Sequence, residues 1–213
     1  MDQLITNIFK TIAMKKIDIG EYSHVKAGPI TFDIECYDLE NIGRLSFMKG
    51  KAMLGLMKMD TLMFVPLYND SPLFSYDRIK VMANDTLIIE MYDTFKDAHP
   101  YPELQKIKNN YSSFKNHELK PNWYDSIRLK ESISIKDRKK SKEIDELFSA
   151  YLSKFLDLVK KDNPIGVNEK KKLQAKYVDG LLNNGGPSTD AFVKAIGIEK
   201  TTILFKKYLF GVE

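Results

Sequence analysis

One cysteine, Cys36, is the only thiol in 213 residues. A disulfide framework or a thiolate-bound zinc or iron–sulfur centre takes several, so all three are excluded, and the chain fits a reducing, cytoplasmic setting. Arginine is nearly as scarce. Arg44, Arg78, Arg128 and Arg138 stand beside 29 lysines and 29 acids, for a net charge of +4. Base readers and phosphate clamps favour the arginine fork, so no nucleic-acid partner is expected. No uninterrupted apolar run approaches the roughly 20 residues that span a bilayer. The opening Met1 to Lys10 has no basic start before an apolar block, so it does not read as a signal peptide. A soluble chain with no membrane partner is expected. Dinucleotide, phosphate-loop and His-Glu-x-x-His fingerprints are all missing. The run Asn183-Asn184-Gly185-Gly186-Pro187 is glycine-rich, but it follows a helical pattern and reads as a helix stop. No metal site and no bound cofactor are expected.

What is present suits a single domain over residues 1–213. Hydrophobic residues make up 43%, aromatic 11% and charged 29%, enough apolar mass for a substantial core. An amphipathic helix is expected over about residues 2 to 14. Thr31 to Tyr37 then alternates apolar and polar residues, the mark of a half-buried strand. Further strands are expected at roughly 43 to 54, 58 to 68, 77 to 83 and 86 to 93, with Asn84-Asp85 as the turn between the last two. Consecutive strands with tight turns imply an antiparallel meander. From Ser141 to Lys161 the period changes to about 3.6, with Ile144, Leu147, Phe148, Tyr151, Leu152, Phe155, Leu156 and Val159 on one stripe. Asn168 is the expected N-cap of a helix carrying Leu173, Tyr177, Leu181 and Leu182, and two shorter helices, about 188 to 195 and 199 to 209, close the chain. The pattern alone gives the α+β class.

Strand alternation puts Asp77 on a face with Ile79, Val81 and Ala83, a carboxyl among apolar neighbours. Desolvation there raises its pKa, as proton delivery near neutral pH requires. Taken alone, such an aspartate reads first as a strand-end residue capping backbone amides. Asp60 shares a face with Leu62 and Phe64 and is a candidate second pocket carboxylate. The basic runs Lys136 to Lys142 and Lys170-Lys171-Lys172 are either solvated helix ends or a surface that steers a small acidic partner.

Two motifs add to this reading. Pro72-Leu73-Phe74-Ser75-Tyr76-Asp77 in mid-chain is followed in order by Tyr177, Asn184, Gly197 and Leu209-Phe210-Gly211. Together they resemble the ferredoxin-dependent bilin reductases, relatives of red chlorophyll catabolite reductase. The resemblance implies a three-layer α/β/α sandwich with a central antiparallel sheet and a pigment held between the sheet and the C-terminal helices. It implies reduction of an open-chain tetrapyrrole such as biliverdin, with electrons from ferredoxin or flavodoxin, no bound redox cofactor, and Asp77 as proton donor. Ser75 stands where the family usually has glycine. The family histidine near Asp60-Thr61 is absent, and His24, His99 and His117 lie outside the central strands. Other members carry a second aspartate after the asparagine; here Gly185 follows Asn184, and Asp190 is the candidate.

A bilin carries two propionates, so Arg44, Arg78, Arg128 and Lys80 are candidate binding cations, although Arg78 alternates to the face opposite Asp77. Phe64, Tyr76, Tyr92, Phe155 and Tyr177 are candidate flanks for a flat conjugated ligand, or plain core. Asn184 is a candidate contact, and Trp123 either lines a pocket edge or anchors a loop. Competing readings are a tetrapyrrole or haem carrier on the same scaffold, and an unrelated α+β protein.

Overall fold

A computed structural model describes Thr6, Phe9, Lys10, residues 12–97 and residues 99–213. The helix expected over about residues 2 to 14 lies largely outside them. Eight strands form one antiparallel sheet: β1 (Met14–Ile17), β2 (His24–Ala27), β3 (Ile30–Leu39), β4 (Gly43–Ala52), β5 (Met57–Pro66), β6 (Leu73–Val81), β7 (Asn84–Tyr92) and β8 (Ile133–Asp137). β3 to β7 are paired in sequence order with β8 beside β7, while β1 and β2 share the outer edge of β3. Among the described residues four α-helices cover the sheet: α1 (Pro102–Asn110), which precedes β8, α2 (Ser141–Val159), α3 (Val167–Asn184) and α4 (Pro187–Ile203), the last running into a π-helical turn, Leu204–Leu209.

The alternation in each strand sorts its side chains between two cores. Leu45, Phe47, Leu62, Phe64, Phe74 and Tyr76 face α1 and α2. Met48, Met63, Val65, Leu73 and Tyr92 face α3, α4 and the C-terminal turn. With helices on both faces, the central strands read as nearly continuous apolar runs, as in Thr61 to Pro66. The molecule is thus the expected three-layer α/β/α sandwich. On the first face the stripe of α2 is fully buried. Tyr76 stacks on Phe148 at 3.9 Å and Phe74 on Phe155 at 4.8 Å, and Phe64 meets Phe155 edge-on at 5.7 Å. Each such pair adds about 0.5–1.5 kcal/mol beyond its area burial.

The observed elements differ from the expected ones in five places. The β6–β7 turn is Met82-Ala83, and Asn84 and Asp85 belong to β7, paired with Val81 and Lys80. Asp85 is drawn into the strand because its carboxylate is buried against Arg78, whose Nη2 donates to Oδ2 at 2.6 Å, and it also accepts from the Ser141 hydroxyl. Burial alone would raise that carboxyl, but the bonds from Arg78 and Ser141 hold it below the ordinary range. The short strands β1, β2 and β8 and helix α1 carry too few alternations to stand out in the sequence. Gly166, not Asn168, is the N-cap of α3. The two closing helices form one element broken at Gly197, whose φ of 82° suits glycine.

The fifth concerns Lys170, which is neither solvated nor part of a steering surface. It is fully buried, and its ammonium donates to the carbonyls of Ser71 at 2.6 Å and Thr94 at 2.7 Å, with Asp70 at 3.5 Å. Burial lowers its pKa to about 8, with Asp70 opposing the shift. Lys170 thereby ties α3 to the loops that follow β5 and β7.

Candidate functional site

Between the second face of the sheet and the C-terminal helices lies a cavity of about 310 Å³. Three adjacent strands build its floor. β5 presents Met59, Thr61 and Met63, β6 presents Ser75, Asp77 and Ile79, and β7 presents Ile88, Glu90 and Tyr92. Thr61, Asp77 and Ile88 stand directly opposite one another, as do Met63, Ser75 and Glu90 one step along. Tyr177 and Leu181 of α3 and Phe205, Leu209 and Phe210 of the C-terminal turn form the roof. A wall of Leu119, Asn122, Tyr124 and Arg128 closes the β8 side.

Two carboxylates face this space in different surroundings. Glu90 accepts from Arg128 Nη1 at 2.9 Å and from the Tyr92 hydroxyl at 2.7 Å. Asp77 accepts from the Thr61 hydroxyl, and among the described residues no cation pairs with it. Asp77 is half-buried and lines the cavity. Burial therefore pushes its pKa up, the Thr61 bond partly counters this, and the charge of Glu90 adds to the rise, to about 6. A carboxyl so placed takes up and releases its proton around pH 6, close enough to neutrality to pass one to a bound molecule. Burial likewise raises the hydroxyl of Tyr177, so it stays protonated, and that of Tyr124 is pushed up to about 12. The Tyr177 ring lies 4.5 Å from Tyr92 and 6.0 Å from Phe210, so the roof is aromatic.

The roof is pinned by polar groups outside the cavity. A π-helical turn leaves carbonyls without helical partners. Arg44 Nη1 donates to those of Lys207 and Tyr208 at 2.9 and 2.7 Å, and Ser46 Oγ to that of Leu209 at 2.6 Å. Gly211 follows at φ 63°, where a Cβ would stand 3.0 Å from the Arg44 guanidinium. Trp123 fixes the wall. Its Nε1 donates to Gly185 O at 3.1 Å, and its ring fills the space beside Gly180, where a Cβ would lie 2.2 Å from Cη2.

The structure brings Asp77, Arg128 and Tyr177 to one cavity, together with Tyr92. Asp60, Phe64, Tyr76, Arg78 and Phe155 are on the other face of the sheet, toward α2, because each strand alternates. Asp60 is paired in register with Arg78, one step out of phase with Thr61 and Asp77. Lys80 lies 3.7 Å from Asp85 on that same face. Arg44 is spent on the C-terminal carbonyls and on Asp38. Asn184 is exposed at the end of α3, bonded to Gly180 O, and Asp190 is exposed in the next turn, where it accepts from Gly186 N–H at 3.3 Å. Both border a separate surface hollow. Sequence reasoning missed Glu90, Thr61 and Tyr124. Glu90 had a signal, as the one acid within the apolar run Leu87 to Tyr92.

No protein-family model matches the sequence, and no curated protein matches it. The fold does match. The crystal structure of selenomethionine-labelled phytochromobilin synthase from tomato in complex with biliverdin aligns with a TM-score of 0.76, covering 98% of this chain and 80% of that chain at 11% sequence identity. At that identity the likeness is one of fold.

Proposed function

We propose that the protein binds an open-chain tetrapyrrole of the bilin type in this cavity and reduces it. The observation that carries the proposal is Asp77, a carboxyl with a pKa raised to about 6 on the floor of an aromatic-roofed cavity. Support comes from the shared fold, since the matched structure holds biliverdin. The Pro72-to-Asp77 and Leu209-Phe210-Gly211 motifs add the resemblance to the bilin reductases, and both reach this cavity.

In this reading two electrons and two protons add across one double bond of the pigment. Reduced ferredoxin or flavodoxin, in the cytoplasm, gives up the electrons one at a time. Asp77 delivers a proton and recovers it from solvent. Glu90, rather than Asp60 or Asp190, is placed to assist, since it borders the same space. Lys120 and Arg128 line the cavity wall as cations for the propionates, Arg128 while it also pairs with Glu90 and Asp125.

A carrier that binds the pigment without reducing it is favoured by one feature: no histidine is among the cavity's lining residues. Anaerobic absorbance titration with biliverdin, followed by chemically reduced ferredoxin, separates the two. A shifted spectrum that develops new bands on reduction supports the reductase. A shift without further change supports the carrier, and no shift removes both.

A further inference from the structure

The outer ends of the strands carry an arrangement that the cavity does not use. Two neighbouring rows of side chains cross the sheet on its first face. In the inner row His24, Asp33, Lys49, Asp60 and Arg78 oppose one another in turn, so acid and base alternate. In the outer row the partners are Lys26, Thr31, Lys51, Lys58 and Lys80. Like charges directly opposite on adjacent strands repel. Among the described residues, Lys80 is the one lysine of this row with an acid within 4 Å, Asp85 at 3.7 Å, and Asp85 already serves Arg78. Lys26, Lys51 and Lys58 are exposed, and among the described residues they make no ion pair.

Just beyond this row stand two turns. The β4–β5 turn exposes Met53, Leu54 and Leu56, with Leu54 wholly in solvent, and the β6–β7 turn exposes Met82 at 81%. A bond from Met82 N to Leu56 O at 3.3 Å ties the two into one tip. Met53, Leu54 and Met82 have φ of 52°, 53° and 53°, a left-handed backbone where glycine or asparagine is the ordinary choice. Large apolar side chains are thus held outward at strained positions, above lysines that repel one another. Folding alone rewards neither feature.

We propose that this tip docks on the surface of an anionic lipid bilayer. Met53, Leu54, Leu56 and Met82 enter the headgroup region, and Lys26, Lys51, Lys58 and Lys80 meet the lipid phosphates and carboxylates. The contact is peripheral: among the described residues no helix is long and apolar enough to cross a membrane. It departs from the expectation of no membrane partner, which rested on the search for a spanning segment. An acidic protein would satisfy the lysines, but a convex apolar tip needs a matching hollow in a protein partner and none in a fluid headgroup layer. On the opposite face of the same end, Met59 and Ile79 pair and line the cavity, so docking brings that end of the cavity near the lipid whatever ligand it takes.

The test is flotation of the full chain with phosphatidylcholine vesicles, plain or with one lipid in four replaced by phosphatidylserine. Binding roughly a hundredfold tighter to the anionic vesicles is expected, weakening with salt. Leu54→Ser with Met82→Ser, and separately Lys51→Glu with Lys58→Glu, should each abolish most of it, with circular dichroism melts confirming that these exposed variants fold. Equal binding to both vesicles, or none, overturns the proposal. So does anionic binding that the serine variant leaves unchanged, since that is adsorption of a basic protein. Absence of vesicle binding together with lysine-dependent capture of polyglutamate would assign the surface to an acidic protein instead.

Discussion

Thr61 stands directly across from Asp77 on neighbouring strands and donates its hydroxyl to the Asp77 carboxylate. This bond favours the charged form and opposes the upward push of burial and Glu90. Thr61→Val removes the donor at nearly constant volume, so the Asp77 pKa should move up from about 6. Infrared titration of the protonated carboxyl band, with Asp77→Asn to identify it, reads the change. An unmoved or lowered midpoint would show that Thr61 does not tune Asp77.

Asp77 should also cost stability. Its folded pKa of about 6 lies above the ordinary 3.8, so the folded state binds the extra proton between those values. The stability it contributes is complete below pH 3.8 and is lost as pH rises through about 6. Asp77→Asn cannot ionise, so at neutral pH it should be more stable than the parent by about 1 to 3 kcal/mol. Urea melts at acid and neutral pH check this; a gain that persists below pH 3.8 would point to packing rather than charge.

How much of this was legible in the sequence depends on what the physics makes local. The long apolar stripe of α2 and the alternation of Thr31 to Tyr37 are local, and both appear where expected. Asp77 was found because its strand and motif lie together in sequence. Alternation also misled: Asp60 sits one residue from Thr61, and that single step carries it through the sheet. The role of Arg44 was hidden because its partners, the carbonyls of Lys207 and Tyr208, lie at the far end of the chain. Lys170 reads as surface in a lysine run, since only tertiary contact shows Ser71 and Thr94 waiting for it.

Lys170 gives a second pH signature, of opposite sign. Its folded pKa of about 8 lies below the ordinary 10.5, so between these values the unfolded chain binds more proton. Stability should therefore gain a rising component from pH 8 upward, before Tyr92, Tyr101 and Tyr151, raised by burial, reverse the slope above their ordinary value of 10. Lys170→Met should erase that component. It should also lose about 2 to 4 kcal/mol, because buried Asp70 and two carbonyls lose their donor. Chemical denaturation at pH 8 and pH 10 tests both effects, and a variant with unchanged slope would rule out Lys170 as its source.

Gly180 supplies the last prediction. In a helix interior, alanine is ordinarily favoured over glycine by about 1 kcal/mol. Here the added Cβ would lie 2.2 Å from Trp123 Cη2, far inside contact distance, so the indole has to leave. Its departure breaks the bond to Gly185 O and frees the segment that carries Tyr124 along the cavity wall. Gly180→Ala should therefore destabilise the protein despite the better helix former, by about 1 to 3 kcal/mol. Trp123 is the only tryptophan, so its fluorescence reports the site without interference. A red-shifted emission with weaker cavity binding is expected, because the indole moves toward water and the wall opens. An unchanged spectrum with higher stability would mean that the helix shifts to absorb the methyl, and that the wall does not depend on Trp123 staying in place.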